Sequence, residues 1–259
     1  MKKIINLLSF LVIINLLVLA NLLLIKYNTN INIIPVSYAK TFIHNNDNYN
    51  LIVNILKDAN KNNFIKYAEY INLNFVPNIP NAPDNKVAFT LSLPQQVSFI
   101  AFYDKINNGE YEFSFIIDKL ASIDKFYFYD DFLIIEQSDI SASTKFNERR
   151  FLEIYSNINN EHLPVFSKDI YISKTIKDEE NNNTLQEIEN SSIDFLDGDL
   201  PRILCITTKT LSKEKLSLLN DSKEYTEIDK EITKEIYQWN PKNNFFEIVE
   251  IDNAKKELD

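Results

Sequence analysis

The sequence predicts a mainly β fold of the α+β class: an antiparallel β-barrel or sandwich-like domain, preceded by two short helices and an N-terminal transmembrane or signal helix. Three observations predict it. Residues 4–25 form a run of 22 without a charge. Two apolar stripes at helical spacing follow it. From Val87 onward, short runs of β-branched and aromatic residues alternate with polar turns.

At about 1.5 Å per residue, the run Ile4 to Ile25 is long enough to cross a hydrocarbon core of about 30 Å. Lys2 and Lys3 before it would stay on the cytoplasmic side, so the remainder is expected to be exported. Val18-Leu19-Ala20 and Ser37-Tyr38-Ala39 both fit a cleavage site. Residues 1–39 are therefore either a retained membrane anchor with its linker or a signal peptide cleaved after Ala39.

Ile52, Ile55, Leu56 and Ala59 fall at i, i+3, i+4 and i+7, as do Phe64, Tyr67, Ala68 and Ile71. Each set makes one apolar stripe, so residues 40–76 are expected to form a helical hairpin, with Asn60 to Asn63 capping the second helix. Pro77, Pro80 and Pro83 favour extended chain over 77–86, a linker. Residues 87–252 then form the β-rich extracytoplasmic domain. Its strands are expected at Val87 to Leu91, Val97 to Tyr103, Tyr111 to Ile117, Phe126 to Tyr129, Phe132 to Gln137, Phe151 to Tyr155 and Ile170 to Thr175. Between Tyr111 and Ile117 the odd positions are apolar, with Glu112 and Ser114 opposite, so one face is core and the other partly wet. Lys177 to Asn190 is charged and Asn-rich and reads as a mobile loop. Leu211 to Asn220 reads as a short helix, Lys223 to Ile251 as the final strands, and residues 253–259 as a frayed tail.

The formal charge is −10, and without Lys2, Lys3 and Lys26 it is −13. A surface this acidic repels phosphate backbones, and no basic cluster with interleaved aromatics offsets it, which excludes nucleic acid as a partner. Cys205 is the single cysteine and sits in an apolar run, so it reads as a small buried hydrophobe and no internal disulfide exists.

The two glycines, Gly109 and Gly198, each lie in an acidic turn, Asp104 to Glu112 and Asp194 to Asp199. After each comes an apolar strand (Phe113 to Ile117, Ile203 to Thr207), an aromatic strand (Phe126 to Tyr129, Ile236 to Trp239) and a closing strand (Phe132 to Gln137, Phe245 to Ile251). A calcium loop sets oxygen ligands at positions 1, 3, 5 and 9 around a glycine at 6. With Gly109 at 6, Asp104, Asn108 and Glu112 fall at 1, 5 and 9, while position 3 is Ile106. These three are the candidate metal ligands, for a weak calcium site; no other cofactor is expected. The same register on Gly198 puts Ile193, Phe195 and Pro201 at ligand positions and fails. The alternative is that both are β-turns in which glycine supplies positive φ.

This order of acidic turn, apolar strand, aromatic strand and closing strand resembles the FG-GAP or VCBS-like repeat of extracellular β proteins, over Val97 to Gln137 and Ser192 to Ile251. The resemblance implies calcium in the turns and a surface that binds proteins or glycans. Two or three such units cannot close a propeller, which is why a compact barrel or sandwich is expected instead. In size and composition the exported chain is also similar to pallilysin-related spirochaetal surface adhesins, a family that implies a lipocalin-like barrel and binding to host matrix. Their protease relatives use His-Glu-x-x-His; here Glu161-His162 stands in the opposite order with no second histidine, so protease activity does not carry over.

His44 and His162 are the two histidines, and neither stands beside a nucleophile in a recognisable pattern; there is also no Gly-rich phosphate loop. The expected function is a non-catalytic envelope protein, bound to the membrane through its N-terminal helix, whose β domain binds a protein or glycan. Tyr103, Tyr111, Tyr127, Tyr129, Tyr237 and Trp239 supply contact area if exposed and core if not. The alternative is an accessory subunit of an envelope assembly that docks through its anchor and helices. An exposed patch on the β domain favours the first, and an exposed stripe on the helices the second.

Overall fold

A computed structural model describes residues 33–35, 48–93, 97–106, 110–139, 148–178, 183–215 and 224–256. The described chain is mainly antiparallel β. It contains strands β1 (Ile33–Pro35), β2 (Asn72–Val76), β3 (Lys86–Leu93), β4 (Val97–Lys105), β5 (Glu110–Leu120), β6 (Ser122–Tyr129) and β7 (Phe132–Asp139). These continue as β8 (Glu148–Ile158), β9 (Glu161–Asp178), β10 (Asn183–Leu196), β11 (Arg202–Lys215), β12 (Glu224–Asn240) and β13 (Phe245–Lys256). Helix α1 (Tyr49–Asp58) and a 3-10 helix (Asn62–Tyr70) precede β2. The transmembrane or signal helix expected at 4–25 lies outside the described residues, and no helix among these is long and apolar enough to cross a membrane.

The chain divides into two compact units, one drawn from residues 1–78, 83–94 and 100–116, the other from 79–82, 95–99 and 117–259. A five-stranded sheet has the order β1-β5-β4-β3-β2. Its middle strand β4 carries Phe99, Ile100, Ala101, Phe102 and Tyr103 in succession, all buried, as a strand covered on both faces requires. Phe89 and Phe113 meet Tyr103 edge-on, each at 5.5 Å, and Phe102 stacks on Phe115 at 4.4 Å. The predicted stripe, Ile52, Ile55, Leu56 and Ala59, is buried, and Leu51 is buried beside it. Asn60, at φ 56°, ends the helix: its N–H bonds Lys57 O, and Lys61 N–H bonds Leu56 O. That pair of bonds is the Schellman arrangement with asparagine in place of glycine. The expected capping of a second α-helix by Asn60 to Asn63 is thus corrected. Asn60 closes the first helix, and the second is a 3-10 helix with Lys61 at its N-terminus and no side-chain cap.

The other sheet is an up-and-down antiparallel run of eight strands, in the order β13-β12-β11-β10-β9-β8-β7-β6. Three of its hairpin turns use Asn or Asp in left-handed conformations. Asn159 and Asn160 (φ 54° and 67°) form the two-residue turn between β8 and β9, as a type I′ hairpin needs. Asp130 starts the β6–β7 turn at φ 49° and Asn244 ends the β12–β13 turn at φ 55°. Register shifts in the β8–β9, β11–β12 and β12–β13 ladders add twist. The sheet rolls until Phe132 on β7 meets Trp239 on β12 at 5.3 Å and Phe246 on β13 at 5.4 Å. Ile134, Leu152, Ile154, Val165, Phe166, Ile203 and Cys205 complete the core on this inner face.

The roll does not close, which corrects the expected barrel. The end strands β6 and β13 are not paired with each other. The free side of β6 is taken by the Pro-rich segment instead: Phe128 N–H donates to Pro80 O, and Asn81 Nδ2 donates to Phe128 O. Three further expectations are corrected. In the segment Lys177 to Asn190, expected as a loop, 177–178 end β9 and 183–190 begin β10, paired in register, and 179–182 lie outside the described residues. Leu211 to Lys215 continues β11 and is not helical, and 216–220 lie outside the described residues. Residues 253–256 pair with β12 and do not fray. The two repeat-like segments also differ in arrangement. In the first, the apolar strand belongs to β5 of the five-stranded sheet and the other two are β6 and β7; in the second, β11, β12 and β13 are neighbours in one sheet.

Candidate functional site: the free edge of the eight-stranded sheet

Of the three candidate calcium ligands, Asn108 lies outside the described residues. Asp104 is near the end of β4, where Lys86 Nζ donates to its Oδ1 at 2.6 Å. The same ammonium lies 3.3 Å from Ser114 Oγ and 5.4 Å from the centre of the Phe115 ring. Glu112 is exposed on β5, two residues from Ser114 and hence on the same face of the strand. Sequence reasoning missed Lys86, the resident cation of Asp104. Among the described residues no three of His, Cys, Asp and Glu gather to hold a metal ion.

The six aromatic candidates separate into two groups. Tyr103 and Tyr111 are core residues of the five-stranded sheet, as the reading of these aromatics as core requires. Tyr127, Tyr129, Tyr237 and Trp239 pack half-buried against the inner core of the eight-stranded sheet. Gly198, the second turn glycine, does not adopt a left-handed φ; its turn is held by Arg202, whose Nη2 donates to Asp197 O at 3.3 Å.

The inner face changes character along the strands. Beyond the aromatic end, Ser191 Oγ and Thr207 Oγ1 lie 3.0 Å apart, and Lys168 on β9 reaches Glu235 on β12 at 2.5 Å across two intervening strands. Cys205 lies between, fully buried, and burial pushes its thiol up to about 12, so it is not a thiolate at neutral pH. Farther along, Glu187 takes Lys174 at 2.5 Å and Lys209 at 3.3 Å. Burial acts to raise the Glu187 carboxyl, but the hydrogen bonds from the two lysines prevail and hold it below its ordinary value.

Strand β13 is where large apolar groups meet solvent. Ile248, Val249 and Ile251 are 49, 56 and 55% exposed, and Phe245 is exposed beside them. Two-residue alternation, read through the partners on β12, gives the strand two distinct faces. Phe246 and Ile248 lie opposite Trp239 and Tyr237, and Ile251 opposite Glu235, all on the inner face. Glu247, Glu250 and Asp252 lie opposite Gln238, Ile236 and Lys234 on the outer face, and Val249 is the extra residue of the bulge. Asn240 and Asn243 hydrogen-bond the Glu247 carboxylate and hold it below its ordinary range. The sequence signal was present in Phe245 to Ile251, read as a closing strand; its place at a sheet end was not legible. No protein-family model, curated protein or solved structure matches this chain.

Proposed function

We propose that the protein is a non-catalytic component of the cell envelope, exported or held at the membrane by residues 4–25, whose β-rich part binds a protein or glycan in the manner of an adhesin. The observation that carries this reading is the run of exposed aliphatic side chains on β13. An open strand edge with exposed large apolar residues is a hazard unless a partner uses it, since natural sheets commonly blunt their edges. The predicted helix stripe points the same way: on α1 it is buried within its own unit and offers no docking face.

The test is binding of full-length protein, in a neutral detergent, to immobilised matrix proteins and a glycan panel, with calcium and with chelator. The reading expects Ile248→Asp with Ile251→Asp to weaken retention at least about tenfold while the thermal melt stays cooperative. Undiminished binding by that variant would remove β13 as the contact. The second reading, an accessory subunit docked through its helical segment, is favoured by Tyr67 and Tyr70, exposed on the 3-10 helix, Tyr70 by 68%. It expects Tyr67→Ala with Tyr70→Ala to carry the loss instead.

A further inference from the structure

We propose that β13 is a strand-addition site: an extended, basic segment of a partner protein, with apolar side chains alternating with Lys or Arg, pairs with its free edge and adds a ninth strand to the sheet. The proposal rests on β13 being the contact surface and names what occupies it.

The eight-stranded sheet treats its two edges differently. On β6 the chain's own Pro80 and Asn81 bond both backbone groups of Phe128. On β13 no described strand pairs with the outer side. An unpaired row of N–H and C=O groups is a template for another strand, and side chains of alternate parity then select which strand. Here the selection is two-sided. Ile248 continues the apolar inner face beside Tyr237, and Ile251, opposite Glu235, is a second exposed aliphatic group on that face, so an incoming strand gains by placing apolar residues beside both. Glu247, Glu250 and Asp252 line the outer face, and Glu250 and Asp252 are exposed. Opposite charges paired across strands stabilise, and like charges directly opposite destabilise. The complement is therefore a strand with Lys or Arg on one face and aliphatic residues on the other. The bulge at Val249 interrupts regular pairing, which leaves Glu250, Ile251 and Asp252 as the uninterrupted stretch where acid and aliphatic alternate.

Charge also argues against a second copy of this chain as the occupant. Two β13 strands paired by a two-fold axis normal to the sheet share the same outer face. That geometry brings Glu247, Glu250 and Asp252 of each copy together, within chains of formal charge −10. The acids thus act as gatekeepers against self-pairing and as selectors for a basic strand.

The experiment measures fluorescence anisotropy of three labelled dodecapeptides with full-length protein in neutral detergent. One alternates valine with lysine, one alternates valine with glutamate, and the third is the lysine peptide N-methylated at every second residue. The expected result is binding of the lysine peptide at least about tenfold tighter than the glutamate peptide, and loss of binding on N-methylation, which removes edge donors and leaves charge intact. Glu250→Lys with Asp252→Lys is expected to invert the preference. The milder Glu250→Gln with Asp252→Asn, for use should the reversal not fold, is expected to abolish the preference.

Equal binding of the N-methylated peptide overturns strand addition, because the contact is then electrostatic only. No binding of the lysine peptide, while Ile248→Asp with Ile251→Asp still abolishes retention on matrix or glycan, overturns strand addition and leaves the surface reading standing. A peptide-free protein that sediments as a dimer lost in Ile248→Asp with Ile251→Asp overturns it in favour of self-pairing. Peptide binding as expected, with matrix and glycan retention untouched by the β13 variants, supports strand addition and removes the adhesin reading.

Discussion

Tyr103 Oη donates a hydrogen bond to Asp58 Oδ2 at 2.9 Å, tying the last residue of α1 to the central strand of the five-stranded sheet. Asp58 is 8% exposed, its Oδ1 has no partner, and it ends a helix, where the macrodipole disfavours negative charge. Burial dominates and pushes the carboxyl up to about 7, against smaller lowering by the Tyr103 bond and by Lys57. The folded value lies above the unfolded 3.8, so the native state holds an extra proton between these limits. Stability from this group is complete at the acid end and is lost as pH rises through about 7, by on the order of 4 kcal/mol in full. Urea melts of wild type at pH 5 and pH 8 should differ in this direction, and Asp58→Asn, which keeps an acceptor for Tyr103, should flatten the difference. A pH-independent wild type would refute the neutral carboxyl.

A calcium ion at Asp104, Asn108 and Glu112 must displace the Lys86 ammonium, which lies 2.6 Å from the Asp104 carboxylate. Lys86→Met removes the competitor and also costs roughly 1 kcal/mol through the lost ion pair and Ser114 contact. The expected outcome is a lower melting temperature in chelator but a larger rise with millimolar calcium than wild type shows, with Asp104→Ala abolishing the rise in both backgrounds. Identical melts with calcium and chelator in all three proteins would remove the metal site.

Where strands form was largely legible, because alternation survives at Tyr111 to Ile117 and the unbroken apolar run Phe132 to Ile135 is buried throughout. What was not legible follows from two physical facts. Lys177 to Asn190 is polar on both faces, and its strands are built from cross-strand pairs such as Lys174 with Glu187, which composition alone reads as loop. Among the described residues, positive φ falls mainly on Asn and Asp: six of the seven non-glycine residues in that region are Asn or Asp. Glycine therefore marks the turn at Gly198, which needs no positive φ, while the Asn159-Asn160 turn has positive φ without any glycine. The candidate site was hidden for a third reason. Which strand ends a sheet is a property of topology, and Phe245 to Ile251 looks the same at an edge or in the middle.

The Asn159-Asn160 turn gives a direct check on that account. Both residues adopt left-handed backbone, which costs an ordinary L-residue about 1–2 kcal/mol and glycine little. Asn160→Ala is expected to destabilise by about 1 kcal/mol and Asn160→Gly to leave stability within about 0.5 kcal/mol of wild type, read by urea denaturation. Equal effects of the two substitutions would mean that the asparagine side chain, not its backbone conformation, matters there.

The Lys168–Glu235 pair tests how the rolled sheet tolerates charge on its inner face. Both side chains are mostly buried, and Tyr237 and Cys205 crowd Glu235, so that its charge raises the Tyr237 hydroxyl further after burial has done so. An ion pair taken out of water returns little net stability, yet removing one member leaves the other uncompensated. Lys168→Met should therefore cost about 2–3 kcal/mol, whereas Lys168→Met with Glu235→Met should recover most of the loss, since the added apolar surface lies against Phe166 and Ile203 on the same face. Alkylation of Cys205 reports the same event independently. Its thiol is fully buried, so the rate should track opening of the sheet, rising in the single variant and falling back in the double. Additive costs in the double variant would show that the two side chains act separately and that β9 and β12 are held together by the aromatic core alone.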